Sequence, residues 1–264
     1  MKIAISHETT YRYDAPAAHS TQYLRLTPRN SAHQKILEWK LDLPVKAHGS
    51  TDAFGNILHV LTLDKPHESI HLRATGVVET CEEGWQEEDE FLSPLIFLRA
   101  TDLTRADSAI YAFAQRFAGA VAENPCQGLN DLMEALADVV VYQRGMTDAR
   151  TTAATAFSQG AGVCQDHAHI FISACQSLGI PARYVSGYLL TDESSHVASH
   201  AWAEAWVDGA WQGFDISNRC RPHSHHLKLA VGFDYMDACP VRGVRRGGSG
   251  ETLDARAAVR IVEE

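Results

Sequence analysis

The sequence predicts an α+β protein: an N-terminal antiparallel β-sandwich over residues 1–94, then a half of mixed helices and strands over residues 95–264. Three observations carry this reading. Apolar and polar residues alternate through much of the first eighty positions, helical periodicity takes over near residue 95, and a strand–turn–strand pattern stands at residues 199–215.

In the first region Leu37, Trp39, Leu41 and Leu43 alternate with Glu38, Lys40 and Asp42, as a half-buried strand requires. Ile57–Leu63 and Ser69–Thr80 continue the pattern. Turn chemistry separates them at Asp52-Ala53-Phe54-Gly55-Asn56 and Asp64-Lys65-Pro66. Five or six strands with no helical period point to a small sandwich. The acidic run Glu82, Glu83, Glu87, Glu88, Asp89 and Glu90 then reads as a solvated linker rather than a cation site.

Beyond it Ile110, Phe113, Ala114, Phe117 and Val121 share one helical face, and Asn124-Pro125 ends that segment. Leu129, Leu132, Met133, Leu136 and Val140 mark a second helix. Both stripes are core-forming.

Bulk properties exclude several functions. The 264 residues, 45% hydrophobic and 21% charged, suit a globular protein, and the length favours two domains. No apolar run approaches the ~20 residues of a membrane span, so no membrane partner is expected. The start, Met1–Tyr13, lacks the apolar centre of a secretory signal, so a cytoplasmic location is expected. A net charge of −10 leaves no basic excess to neutralise phosphates, which argues against nucleic acid. The six cysteines form no dense framework and read as free thiols.

One cysteine is distinctive. Gly160-Ala161-Gly162-Val163 leads from a glycine-containing turn into Cys164, and Ala168, Phe171, Ile172, Cys175 and Leu178 then recur at helical spacing up to Gly179 and Pro181. Cys164 therefore stands in a first helical turn, where unpaired N–H groups and the positive dipole end favour a thiolate. Cys175, on the apolar stripe, reads as an inert core thiol.

A base is available downstream. Ser199–Val207 and Ala210–Asp215 are strand-like runs around Asp208-Gly209, which predicts a hairpin with a type I′ turn. In that register Val207 faces Ala210, Trp206 faces Trp211 and Trp202 faces Asp215. His200 and Asp215 then become diagonal neighbours on one face, about 7–8 Å apart at the backbone. A register slip of one residue would separate them. A carboxylate on one ring nitrogen fixes the tautomer and leaves the other nitrogen for a thiol.

These residues resemble the transglutaminase-like superfamily, in particular bacterial members of the cysteine-protease type. The matching blocks are 162–169, 178–188, Ser199-His200-Ala201-Trp202 and Trp211-Gln212-Gly213-Phe214-Asp215. The intervals, 36 positions from Cys164 to His200 and 15 from His200 to Asp215, suit such a core. His7–Tyr13, Leu26–Arg29, Asp52–Asn56, and the tail from His226 to Gly243 are also similar, so nearly the whole chain is covered. Ile216-Ser217-Asn218 stands where these proteins often have Pro-Thr. The resemblance implies a papain-like core, with the nucleophile helix against an antiparallel sheet carrying the histidine and aspartate.

The sequence thus predicts a thiol-dependent acyl-transfer enzyme acting on amide bonds of a peptide or protein substrate. Its expected catalytic residues are Cys164, His200 and Asp215, with no cofactor and no metal. The Cys164 N–H is the expected first oxyanion donor. Tyr142 and Gln143 are weak candidates for the second, which stays unassigned. Hydrolysis and transfer to an amine use the same three groups, and hydrolysis is preferred by analogy with the bacterial family. Two rival classes stay open. One is a metal site built on His167 and His169 or on the Cys220–His226 segment, neither of which has a standard zinc spacing. The other is a catalytically silent binding module with Trp202, Trp206 and Trp211 in a groove. Oligomeric state is not legible.

Overall fold

A computed structural model of the chain describes residues 1–82, 86–87, 92–191 and 199–262. Most of the acidic run expected to form a linker lies outside the described residues.

Five strands fill the first eighty positions: β1 (Lys2–Thr27), β2 (Gln34–Asp42), β3 (His48–Thr51), β4 (Ile57–Leu63) and β5 (His67–Thr80). They belong to one hydrogen-bonded antiparallel sheet, ordered β2-β5-β1-β4-β3, rather than to two separate ones. The sheet curls along β1, whose 26 residues pair with β5 in the first half and with β4 in the second. Alternation along β1 buries Ile3, Ile5, Tyr11, Leu24 and Leu26. In β2 the expected alternation breaks. The register shifts between Ile36 and Glu38, a bulge that leaves Leu37 41% exposed while Trp39 and Leu41 pack on the core.

The second half begins with β6 (Gln86–Glu87) and a 3₁₀ turn (Pro94–Leu98). The helices α1 (Ser108–Gln115), α2 (Ala118–Glu123) and α3 (Pro125–Val139) follow. The segment expected as a single helix from Ile110 to Val121 is therefore two. A tight bond from the Phe117 N–H to the Ala114 carbonyl (2.9 Å) turns the chain, and Phe117 becomes the N-cap of α2. Asn124 caps α3 through its side chain and Pro125 occupies the first turn, where a missing N–H costs nothing.

Next come β7 (Val141–Tyr142), α4 (Ala153–Gln159), β8 (Ala161–Gly162) and α5 (Cys164–Ser177). The chain ends with β9 (Ala182–Leu189), β10 (Ser199–Val207), β11 (Ala210–Phe214), β12 (His226–Gly232), α6 (Tyr235–Ala238) and β13 (Val241–Ile261). Strands β12-β9-β10-β11-β6 form an antiparallel sheet. Ala201, Ala203, Ala205 and Val207 of β10 share one apolar cluster with Ala168, Phe171, Ile172 and Cys175 of α5, and the small alanines let the helix axis approach closely. β13 leaves this half altogether. It runs antiparallel along β1 from Leu24↔Val241 to Ile3↔Ile261.

The two sheets meet through Ile3, Ile5 and Val78 against Tyr188, Leu227 and Leu229. Polar groups pin the same junction. His7 Nδ1 lies 2.8 Å from the Tyr188 hydroxyl. Two side-chain amides cover backbone groups of β12, an edge strand of its sheet. Gln34 bonds both the N–H and the carbonyl of Lys228 (2.8 Å each), and Asn56 bonds both groups of Val231 (2.9 and 2.7 Å). The Asp52–Asn56 turn thus docks one sheet on the other and satisfies an edge that would otherwise stay open. Among the described residues no helix is long and apolar enough to cross a membrane.

Candidate active site

The start of α5 is built by the residues around Gly162. Asp166 Oδ2 accepts from the Val163 N–H at 2.8 Å and from the Thr147 hydroxyl at 2.6 Å, so the carboxylate folds back over the helix entrance. A Cβ on Gly162 would lie 2.6 Å from the Asp166 Cβ, which is why glycine stands there. Cys164 occupies the first turn, half-buried, and packs against the apolar cluster around α5.

The hairpin has the expected register. Ala203 faces Phe214, Trp206 faces Trp211 and Val207 faces Ala210, with Asp208 (φ 54°) and Gly209 (φ 81°) both left-handed at the turn. His200, at the open end of β10, and Asp215, one residue past β11, therefore meet on one face, with His200 Nε2 2.6 Å from Asp215 Oδ2. The Cys164 side chain is close enough to the same imidazole to favour its protonated form. Burial opposes protonation of His200. The charge and hydrogen bond of Asp215, followed by the influence of Cys164, outweigh burial and push the imidazole up to about 10.

Asp215 is fully buried. Burial favours its neutral form, but the charge and hydrogen bond of His200, followed by those of His226, hold its carboxyl well below the usual range. Both oxygens are engaged. Oδ1 accepts from the Ser217 hydroxyl (3.0 Å) and the Asn218 N–H (3.3 Å), and Oδ2 also accepts from Asn218 Nδ2 (2.7 Å) and faces His226 Nε2 at 2.9 Å. The Ser217-Asn218 pair, a departure from the Pro-Thr pattern, thus supplies three donors to the carboxylate. His226 belongs to this site and escaped the sequence reading, which weighed the Cys220–His226 segment as a rival metal site. The available signal was its place at the head of an alternating strand, His226–Gly232, beside the strand that flanks His200.

The other histidines serve elsewhere. Both ring nitrogens of His167 lie near carbonyl oxygens, those of Val163 (3.0 Å) and Val140 (2.8 Å). His169 Nε2 accepts from the Tyr235 N–H, and burial, opposed by Asp234, pushes its pKa down to about 4. The two rings diverge along α5. Among the described residues His200, Asp215 and His226 form one group of metal-ligand type, with the relevant atoms within 4.8 Å. Tetrahedral zinc with bonds of ~2.0 Å holds its ligand atoms roughly 3.3 Å apart. The 2.6 and 2.9 Å contacts here are hydrogen-bond distances.

Of the weak oxyanion candidates, Tyr142 is exposed and its ring stacks 6.3 Å from that of His167. The Gln143 N–H is engaged with the Gly162 carbonyl at 2.8 Å. Trp202 and Trp211 are buried, and the half-buried Trp206 packs edge to face on Trp211. All six cysteines are free; burial raises the Cys175 thiol well above its ordinary value, and burial followed by Asp215 pushes Cys220 up to about 12.

Known proteins resemble this chain in sequence and in fold. Residues 3–79 match the bacterial transglutaminase-like N-terminal region, and residues 111–216 match the transglutaminase-like superfamily. The chain is 29% identical over 279 residues to an uncharacterized protein from Mycobacterium leprae, covering 96% of each. It is 28% identical over 270 residues to one from Mycobacterium tuberculosis, covering 91% of this chain and 86% of that one. Its fold matches the crystal structure of a putative cysteine protease from Cytophaga hutchinsonii with a TM-score of 0.79 and 23% identity, over 100% of this chain and 92% of the other.

Proposed function

Because the chain belongs to the transglutaminase-like superfamily, carrying both its core and its bacterial N-terminal region, we propose that it is a thiol-dependent acyl-transfer enzyme acting on amide bonds of peptides or proteins. Cys164 is the nucleophile, His200 its proton partner and Asp215 the group that orients the ring. What supports this reading is the 2.6 Å contact between the His200 imidazole and a buried carboxylate, near a thiol at a helix start. The papain-like description of the core belongs to the same proposal. So do a cytoplasmic setting and the assignment of catalysis to residues 95–264, with residues 1–94 as support.

The chemistry follows from the groups. Asp215 on Nε2 leaves the opposite ring nitrogen for the thiol proton, giving a thiolate–imidazolium pair. The thiolate attacks the amide carbon, a C–S bond forms, and the C–N bond breaks as His200 passes its proton to the leaving nitrogen. Water then attacks the thioester while His200 takes its proton, releasing the acid and the free thiol. The Cys164 N–H at the helix start supports the developing oxyanion. Hydrolysis is preferred to amine transfer by likeness to the protease-type fold relative.

Peptide mixtures incubated with the protein, with and without a primary amine, test the proposal by mass spectrometry. New termini are expected, lost in Cys164→Ala and retained after chelation. Amine adducts on glutamine would instead select transfer. Unaltered peptides with an intact Cys164, together with alkylation of that thiol no faster than that of Cys220, would end the enzyme reading.

A further inference from the structure

The Asp215 carboxylate carries a second histidine that the proposed mechanism does not use. His226 is almost wholly buried, and its Nε2 points at the same Oδ2 that faces His200. Its other nitrogen is also placed. Nδ1 accepts the His223 N–H at 3.2 Å, while the His226 N–H bonds the His223 carbonyl at 2.8 Å, so a short turn locks the ring from behind. An imidazole whose Nδ1 accepts must carry its proton on Nε2, and it therefore donates to Asp215.

The surroundings keep this ring neutral. Burial lowers its pKa, and the like charges of His200 and His223 lower it further, against the pull of Asp215. The groups facing it are Asp215, His200 from β10, and His223 from the preceding turn, beyond which Glu82 bonds Ser224. The indole of Trp202 packs edge to face on it at 5.4 Å. Trp202 can lie there because Gly187, opposite His200, has no side chain; a Cβ would stand 2.7 Å from the indole.

We propose that His226 is a positioning residue, a neutral donor that holds the Asp215 carboxylate facing His200. This rests on the assignment of His200 and Asp215 to the acyl-transfer site. Ser217 and Asn218 sit on the turn that follows Asp215 and move with it. His226 is on β12, anchored to the sheet through β9, and so ties the carboxylate to a separate element.

Two variants with opposite losses test it. His226→Phe keeps a flat ring against Trp202 and removes the donor. His226→Gln removes the ring and keeps an N–H near the position of Nε2. Two readouts apply to the full chain: the His200 titration by NMR of labelled histidine, and the rate of Cys164 alkylation at pH 6. His226→Phe is expected to lower the His200 midpoint by about one pH unit and the alkylation rate about tenfold, with His226→Gln near wild type. No shift or a rise in His226→Phe would overturn the proposal, as would an equal fall in both variants. Should His226→Phe not fold, His226→Gln decides alone: a wild-type midpoint supports the proposal and a lowered one overturns it. His200→Ala separates the two readings. Unchanged alkylation there would remove the acyl-transfer assignment, while the His200 titration in the His226 variants still reports on positioning.

Discussion

His200 Nε2 lies 2.6 Å from Asp215 Oδ2, across the diagonal of a hairpin whose turn is Asp208-Gly209. The pair is buried, and each partner is the largest influence favouring the other's charged form. Asp215→Asn should therefore leave His200 governed by burial, and its titration midpoint should drop from about 10 to below neutral. NMR of labelled histidine reads this directly. A midpoint that stays above 9 would mean another group holds the charge.

The same pair sets part of the stability profile. The His200 midpoint is raised, so its contribution is full below ~6.5 and is lost as pH rises through about 10. That of Asp215 is lowered, so its contribution is present above ~3.9 and is lost as pH falls. Urea midpoints measured from pH 7 to 10.5 should decline, and the decline should be absent in Asp215→Asn.

His7 acts at the junction of the two sheets with the opposite sign. Burial pushes its pKa down to about 4, so its neutral form is worth most above ~6.5 and stability falls between ~6.5 and 4. The loss can reach about 3 kcal/mol. Replacing His7 by Gln should flatten that acid limb in thermal melts, and an unchanged limb would assign the loss to other groups.

The covered edge of β12 predicts a local effect. Asn56→Leu removes two bonds to the backbone of Val231 and leaves that buried N–H and carbonyl unpaired. The expected cost is about 2–4 kcal/mol, with faster hydrogen exchange at Val231 before exchange in α5. Uniform acceleration across the chain would contradict the local picture.

At the helix entrance, Gly162→Ala forces Asp166 away from the Val163 N–H, because the new methyl would lie 2.6 Å from the Asp166 Cβ. Alkylation of Cys164 should slow at least tenfold while α5 stays folded, since its apolar face is untouched. Equal rates for variant and wild type would show that the carboxylate cap does not control the sulfur.

Much of this was legible in the chain itself, and the reasons are local. The Asp208-Gly209 turn admits one register, alternation in β10 divides its two faces, and Gly179 with Pro181 stops α5, so the sequence by itself determined that His200 and Asp215 share a face and that Cys164 opens a helix. Periodicity could not show the break at Phe117, because the apolar stripe continues unchanged across two short helices. Only the tertiary structure decided where β13 goes, that Asn56 and Gln34 cap β12, and that His226 meets Asp215. Each of those contacts joins residues from different strands or from opposite ends of the chain, and a pairing between distant segments depends on how sheets stack and curl. Neighbouring residues carry no record of it.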